Sequence, residues 1–206
     1  MKNNFTLRWT IANALAMSIG FLAALQFLMF YAHGLDFEKH WVFGEPEDMS
    51  DTARTIGIGI ALPIFGIIFS FGQVLVLKQY LEKPRLWILT GPSGYVLVLL
   101  IIVPFLGIWG GIPGPVEPLA ITLGGTFFMI AFQWIYLKKQ GIAPARPILW
   151  FALGLVAGVL PVALLFTFIW NPPWGVDIAI MGLSMGGCAG FFSARHFQKV
   201  LEERNI

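Results

Sequence analysis

The sequence predicts an all-α integral membrane protein whose six transmembrane helices form three pseudo-repeated hairpins. Hydrophobic residues make up 57% of the 206 residues and charged residues only 12%, whereas a soluble domain carries about 25% charged residues. The mean hydropathy is accordingly high, at +0.78. Apolar runs long enough to cross a bilayer, about 20 residues of helix, occur six times. We therefore expect one transmembrane domain that covers residues 1–206.

The apolar runs define the six predicted helices in order. They are Trp9–Ala32, Arg54–Leu77, Leu86–Ile108, Pro118–Leu137, Ile148–Trp170 and Val176–Arg195. The first run is too long for the apolar region of a signal peptide, and no cleavage site follows it, so we expect it to be retained. Pro63, Pro104 and Pro161 fall inside the second, third and fifth helices. They predict kinks that neighbouring helices satisfy, although interrupted helices also mark binding sites in transporters.

The charged residues are sorted between two faces of the predicted bundle. Of the 13 Lys and Arg residues, 11 fall at the termini and in the second and fourth connections, at positions 2, 8, 78, 83, 85, 138, 139, 146, 195, 199 and 204. On the opposite face lie 8 of the 11 acids. Because basic loops stay on the cytoplasmic side, this distribution predicts that both termini are cytoplasmic. With an odd number of helices, the basic segments would no longer all lie on one face.

The three connections on the acidic face differ in length. The first, from His33 to Ala53, is the longest and mixes aromatic residues with acids, which is compatible with a short interfacial helix. Its acids at positions 45, 47, 48 and 51 favour a solvated loop over a weak Ca²⁺ site. The second, GGIPGPVEP at 110–118, and the third, NPPWGVD at 171–177, are typical of turns.

Two of the connections on the basic face share one sequence pattern. Gln73 and Gln133 each lie four residues before a leucine and five before a lysine, and a short Pro-containing loop then leads to Trp87 or Trp150. The glutamines are 60 residues apart, and the tryptophans are 63 apart. Glycines follow each tryptophan, and small residues let neighbouring helices approach closely. The pattern predicts an internal duplication of one helical hairpin.

A third copy aligns on Trp9, at the start of the first helix, and on Ala194 and Arg195, at the end of the last. Gly190 stands where the other copies carry glutamine. The spacing from Trp9 to Trp87 is 78 residues, because the first outer loop is longer. Tryptophan beside a snorkelling base is typical of the headgroup boundary. We therefore expect the repeated tryptophans at that boundary.

The pattern resembles a group of uncharacterised multi-pass bacterial membrane proteins, often from phototrophic lineages. They share an apolar Gly-rich helix ending Gln-Trp-x-x-Leu-Lys/Arg, a short loop and a Trp-led Gly-rich helix. The matching residues here are Gln133, Trp134, Leu137, Lys138, Trp150, Gly154 and Gly158. The match is weaker from Gln73 to Gly94, where Val74 replaces the tryptophan. The resemblance implies the fold class and residence in the bacterial inner membrane, and it brings no activity with it.

Side chains that carry chemistry are scarce in the predicted helices. No Asp, Glu, Lys, Arg or His lies in the middle of any of them, which counts against a pump that works by titrating such a group. Cys188 is the only cysteine and is interpreted as a small packed residue. No Gly-x-Ser-x-Gly elbow and no phosphate-binding Gly-x4-Gly-Lys-Ser/Thr motif occurs.

The three histidines are predicted to lie on opposite faces. His33 and His40 belong to the outer face, while His196 follows the last predicted helix on the cytoplasmic face. A metal centre needs about three converging protein ligands, so we expect no metal site. Each histidine remains a candidate axial ligand of a pigment, although a solvated loop histidine is the commoner case.

Gln73 and Gln133 form the candidate polar site. Each lies about 7.5 Å above the cytoplasmic boundary, at 1.5 Å per residue. One interpretation is a polar pair that faces a shared pocket or a neutral pore. The other, which we favour, is hydrogen bonding between pseudo-equivalent helices, worth about 0.6 kcal/mol in a membrane. The same interpretation applies to the remaining polar residues of the helices, Asn13, Gln26, Ser70, Thr126 and Ser184.

The last helix is predicted to pack closely along one side. It carries Gly182, Gly186, Gly187 and Gly190, and small residues of this kind line helix contacts in membranes. We favour packing within the bundle. The alternative is an interaction face for another subunit, or for a flat ligand such as a pigment or quinone ring.

These observations predict a non-enzymatic integral membrane protein, a structural or accessory subunit of a larger membrane assembly. Its predicted partners are the lipid bilayer and other membrane subunits or further copies of the chain, with no nucleic acid. The alternative is a channel, facilitator or substrate-binding component for a neutral small molecule, in which Gln73 and Gln133 face one cavity. A lipid enzyme is least favoured and would need the acidic loop to cover a pocket with His33 or His40. The cofactor stays open between none and a bound pigment, quinone or lipid.

Overall fold

The computed structural model describes residues 4–33, 51–108, 116–142, 145–168 and 176–204. These residues form six α-helices and contain no strand. The helices are α1 Phe5–His33, α2 Asp51–Leu77, α3 Pro84–Ile108, α4 Val116–Lys139, α5 Ala145–Phe168 and α6 Val176–Arg204. The all-helical fold class is therefore confirmed for the described residues.

The last helix is longer than its apolar run predicts. It continues past Arg195 to Arg204, because Phe197 and Leu201 are buried in the core beside Phe5 and Trp9. Exposed pairs at i and i+4 also stabilise this part of the helix, with Gln198 bonded to Glu202 and Lys199 paired with Glu203. His196 therefore lies within α6, and the prediction that it follows the last helix is wrong.

Five helices are long and apolar enough to cross a membrane, judged over the described residues. The candidate spans are Phe5–Leu28, Gly57–Leu77, Pro84–Ile101, Ala145–Val162 and Val176–Glu203. The outside of the bundle is apolar as well. Leu7, Ile11, Leu15 and Ile19 form a stripe along α1 and are 46–58% exposed. Long apolar stripes are unusual on proteins that face water and suit contact with lipid, so the structure is compatible with a multi-pass membrane protein.

The helices pack side by side in the order α5, α6, α1, α2, α3, α4. Small residues bring their backbones together. A Cβ atom at Gly154 of α5 would lie 2.5 Å from Ala189 Cα of α6, and one at Gly182 of α6 would lie 2.6 Å from Ser18 Cα of α1. The other contacts have equivalent close approaches, at Gly72 between α1 and α2, at Gly66 and Gly91 between α2 and α3, and at Gly94 and Gly125 between α3 and α4.

The two ends of this series of helices, α4 and α5, touch only locally although they follow each other in the chain. Gly141, with φ +71°, ends α4 in a left-handed conformation. The Ile142 N–H donates to the Leu137 carbonyl and the Gly141 N–H to that of Lys138, which is the Schellman motif. Ile142 and Leu137 are both buried, so the turn is anchored in the core while the helices beyond it separate.

The buried side chains form two clusters along the bundle. The cluster that contains Trp9, Trp87 and Leu137 lies next to the α2–α3 and α4–α5 turns, and the other surrounds Phe69 and Met129. We call the end of the bundle that carries these turns the basic end, because exposed bases are concentrated there, namely Lys78, Lys83, Arg85, Lys138, Lys139, Arg146, Arg195 and Lys199.

The tryptophans do not share one environment. Trp9 and Trp87 are both 0% exposed, so their indoles pack against neighbouring helices and do not face the outside of the bundle. Each indole fills a large volume in the core and has a hydrogen-bond partner there, which makes burial favourable. Trp150, the third tryptophan of the pattern, is 36% exposed.

Candidate functional site: a buried network of amide side chains

The two predicted glutamines are in direct contact. Gln73 lies in α2, one turn before Leu77, and is 1% exposed, while Gln133 lies in α4, one turn before Leu137, and is 3% exposed. Gln133 Nε2 donates a hydrogen bond of 3.0 Å to Gln73 Oε1. The two residues at matching positions of the sequence pattern therefore meet in the interior of the bundle.

Gln73 connects this pair to two more helices. Its Nε2 donates to Asn13 Oδ1 of α1 at 2.9 Å, and its Oε1 also accepts from Trp87 Nε1 of α3 at 2.9 Å. An indole N–H can only donate, so Trp87 sets the orientation of the Gln73 amide. Asn13 in turn donates to the carbonyl of Trp9 at 2.8 Å. We call Asn13, Gln73, Trp87 and Gln133 the amide network; it joins α1, α2, α3 and α4.

A second polar contact joins α1 to α6. Trp9 Nε1 donates to Ser193 Oγ at 2.9 Å, and Ser193 Oγ donates to the carbonyl of Ala189 at 2.7 Å. Ser193 lies one turn after Gly190, the position at which the third copy of the pattern has lost its amide. Ser193 was not predicted from the sequence, nor were the hydrogen bonds of Trp87 and Trp9. The sequence feature that could have indicated Ser193 is its hydroxyl, one turn after Gly190, where the other two copies carry glutamine.

The network consists of neutral groups that bond to one another without an intervening charge. Burying an amide without a hydrogen-bond partner destabilises the fold by more than one such hydrogen bond stabilises it. Each member of the network therefore favours the helix register in which all of its neighbours are hydrogen-bonded. Amide and indole side chains do not titrate near neutral pH. The chemistry of the arrangement is therefore recognition by hydrogen bonds, and its direct effect is to hold four helices in register.

Three of the four glycines predicted as an interaction face lie against α1 of the same chain. A Cβ at Gly182 would lie 2.6 Å from Ser18 Cα, and one at Gly190 would lie 2.8 Å from Thr10 Cα. Gly186 also approaches the α1 backbone. Gly187 differs, since nothing lies nearer to its Cβ position than the Ala14 Cβ, at 3.9 Å.

Two further polar contacts also join neighbouring helices, α5 to α6 and α3 to α4. Ser184 donates to the Gly158 carbonyl at 2.8 Å, and the hydroxyls of Tyr95 and Thr126 are 3.1 Å apart. Ser70 Oγ is buried without a hydrogen-bond partner among the described residues.

Several candidate residues of the sequence lie beyond the part of the chain that the structure describes. They are His40, the side chains of His33 and Asp51, the other acids of the first outer loop, and its predicted interfacial helix. Within the described ranges, no group of three or more His, Cys, Asp or Glu side chains is arranged to hold a metal ion. Cys188 is a free, partly buried cysteine.

Comparison with protein-family models, with curated proteins and with solved structures found no match to this chain. The resemblance to multi-pass bacterial membrane proteins therefore stays a prediction.

Proposed function

We propose that the chain is a non-enzymatic integral membrane protein that serves as a structural or accessory subunit of a larger membrane assembly. The observation that carries the proposal is the hydrogen bond between Gln133 and Gln73, extended by Asn13 and Trp87. These polar groups are buried in the interior and bond the helices to one another. Such a use suits a rigid scaffold whose outer surface is left for lipid and partners.

The outer surface supports the same proposal. Phe127 of α4 is 66% exposed, and Val156 and Leu160 of α5 are 65% and 61% exposed. These residues belong to the two helices that end the series and touch only locally. A membrane subunit or a second copy of the chain would find an apolar surface there that the other described helices leave exposed.

The proposed topology has six crossings with both termini in the cytoplasm of a bacterial inner membrane, built from three pseudo-repeated hairpins. Three helix pairs that follow in sequence, α1–α2, α3–α4 and α5–α6, pack along each other. Leu77, Leu137 and Ala194, which occupy matching positions of the sequence pattern in the even-numbered helices, are each 0% exposed. The concentration of bases at one end supports its cytoplasmic placement.

The test is purification of the protein from its native membrane in a mild detergent, followed by mass analysis of what remains bound. We expect stoichiometric membrane subunits, or a defined oligomer, that survive exchange into fresh detergent. A matched experiment uses Phe127→Ser and Leu100→Ser, because Leu100 of α3 is similarly exposed at 69% on a helix packed between α2 and α4. Loss of the partner with Phe127→Ser alone would place the contact on α4. A single chain with no partner would contradict the proposal.

The alternative is a channel, facilitator or substrate-binding component for a neutral small molecule. The observation that favours it is the convergence of Gln73 and Gln133 at one point of the interior, because paired amides can exchange their mutual bond for bonds to a polar solute. It predicts that Gln73→Leu and Gln133→Leu both abolish solute flux into proteoliposomes. The accessory role instead predicts no flux in the unmodified protein and an effect of these changes on stability alone.

A further inference from the structure

A plate of three aromatic rings lies on the outside of the α5–α6 pair, at the basic end. Trp150 of α5 stacks on His196 of α6, with ring centroids 5.3 Å apart and an interplanar angle of 3°. It also stacks on Phe192, one turn earlier in α6, at 6.2 Å and 11°. Trp150 and Phe192 are 36% and 39% exposed, so the plate forms part of the outer surface.

Trp150 carries a hydrogen-bond donor that the described part of the chain does not use. The equivalent indoles donate within the bundle, Trp9 to Ser193 and Trp87 to Gln73. The preceding even-numbered helix supplies the acceptor for Trp87, but α4 barely touches α5. Among the described residues, none accepts a hydrogen bond from Trp150 Nε1. An exposed indole N–H beside apolar surface suits an acceptor at the membrane boundary.

Three bases adjoin this plate. Arg146 precedes Trp150 by one turn of α5, Arg195 is next to His196, and Lys199 follows His196 by one turn of α6; all three are exposed. Because α5 and α6 run antiparallel, the turn before Trp150 and the turn after His196 lie at the same level, nearer the basic end. Lys199 forms an i,i+4 ion pair of 4.0 Å with Glu203, and both side chains are more than 60% exposed, so water screens the pair and the lysine exchanges it readily.

Exposed apolar side chains continue from the plate toward the middle of the bundle. Leu153, one turn beyond Trp150 in α5, is 48% exposed, and Phe191 of α6 is 58% exposed. The surface therefore changes along one helix pair from bases, through amphipathic rings, to apolar side chains. A phospholipid changes in the same order, from its charged phosphate through its glycerol esters to its acyl chains.

We propose that this surface binds the headgroup of an anionic phospholipid. Arg146, Arg195 and Lys199 contact the phosphate, for which guanidinium groups provide forked donors. Trp150 Nε1 donates to an ester or phosphate oxygen, and the acyl chains lie along Leu153 and the exposed residues of α6. Basic surfaces between helices at the cytoplasmic boundary hold anionic lipids in this manner. The proposal rests on residence in a membrane and is independent of the accessory role.

The test is native mass spectrometry of the full chain in detergent, titrated with phosphatidylglycerol or with phosphatidylcholine of identical acyl chains. The triple variant R146Q, R195Q, K199Q removes three bases beside the plate. The matched control K78Q, K83Q, R85Q removes three bases at the same end, around the α2–α3 turn. We expect the first variant to lose phosphatidylglycerol affinity on the order of 100-fold, or about fivefold for each base, and the control to retain it within about twofold.

Trp150→Leu separates a specific site from general attraction between charges. The change removes an N–H donor and no charge, so we expect it to lower the affinity for phosphatidylglycerol. An unchanged affinity would show that attraction between charges alone holds the lipid. Equal losses in the two triple variants would overturn the proposal, and so would equal binding of the two lipids by the unmodified protein. Displacement of the lipid by glycerol phosphate at millimolar concentration would identify a site for a soluble phosphate instead. The proposal would also be contradicted if the three bases bound an acidic protein while the chain showed no preference between the two lipids.

Discussion

Gln133 donates a hydrogen bond to Gln73 across 60 residues of sequence, and Gln73 is the member of the pair that makes the other contacts. Gln73 has three partners in the amide network, Asn13, Trp87 and Gln133. Gln133 has one partner there. Two residues at the same position of a repeated pattern therefore have unequal roles, and substitution separates them.

Gln73→Leu is expected to destabilise the protein about three times as much as Gln133→Leu. At about 0.6 kcal/mol for each interhelical bond in a membrane protein, the losses are about 2 and about 0.6 kcal/mol. The free energy of unfolding is measured by titrating a mild detergent with a denaturing one. Gln79→Leu, at an exposed position of the α2–α3 turn, is the control and should change little. Equal effects of the two interior substitutions would contradict the asymmetry.

The contact between these glutamines could be predicted from the sequence. Their unequal numbers of hydrogen-bond partners could not. Their equal distance from a leucine and a lysine placed them at one level of the bundle, and burial of an amide demands a partner. What the spacing could not supply is the order of the helices. Because α2 packs between α1 and α3, Gln73 has neighbours on both sides. Gln133 belongs to α4, at the end of the series.

The tryptophans show a second limit of sequence reasoning. An indole beside a base is typical of the headgroup boundary, but of the three repeated tryptophans only Trp150 has an exposed indole. Trp9 and Trp87 have the same local sequence features but are covered by neighbouring helices. Contacts between helices determine whether the indole is buried or exposed, and the sequence of one repeat does not specify those contacts.

Gly182→Ala and Gly187→Ala are expected to have opposite effects, although both glycines belong to the same run of α6. A methyl group at Gly182 would lie 2.6 Å from Ser18 Cα, and backbone cannot move aside as a flexible side chain can. Forcing the helices apart costs roughly 1–3 kcal/mol. At Gly187 the nearest atom is 3.9 Å away, so alanine fits, and its higher helix propensity contributes up to about 1 kcal/mol.

The measurement for this pair is the midpoint of thermal unfolding in detergent, with light scattering to follow the oligomeric state. A lower midpoint for Gly182→Ala with unchanged mass would locate the effect in the α1–α6 contact of one chain. Dissociation of an oligomer by Gly187→Ala would show instead that this position of the glycine run contacts a second subunit. A Gly182→Ala protein as stable as the unmodified one would refute the packing argument.

Trp87→Phe is expected to be more destabilising than Trp150→Phe. Both changes keep an aromatic ring and remove an N–H. Among the described residues, only the N–H of Trp87 has an acceptor, Gln73 Oε1 at 2.9 Å. The loss at Trp87 is about 0.6–1.7 kcal/mol for the bond, with a further loss of packing because the residue is 0% exposed. The change at Trp150 should stay within about 0.5 kcal/mol. Unfolding free energies in detergent provide the comparison.

The bond between Trp9 and Ser193 is tested by a double-mutant cycle. Trp9→Phe and Ser193→Ala each remove one side of the 2.9 Å contact between α1 and α6. A coupling of about 0.6 kcal/mol is expected, the average for interhelical hydrogen bonds in membranes. Additive losses, with no coupling between the two positions, would show that the serine contributes nothing through the indole.

Leu15→Arg is expected to weaken the membrane insertion of α1 more than Leu7→Arg does, and this difference shows whether α1 is surrounded by lipid or by water. Both leucines belong to the same exposed stripe, at 49% and 58% exposure. Leu15 lies well inside the candidate span Phe5–Leu28, whereas Leu7 lies near its beginning and next to Arg8. Arginine at the centre of a transmembrane helix costs about 2.5–3.5 kcal/mol, while arginine near an end reaches the headgroups. In water, both substitutions would be tolerated equally at such exposed positions.

The fraction of each variant that resists alkaline extraction from membranes measures the difference, and equal retention of both would contradict a span through α1.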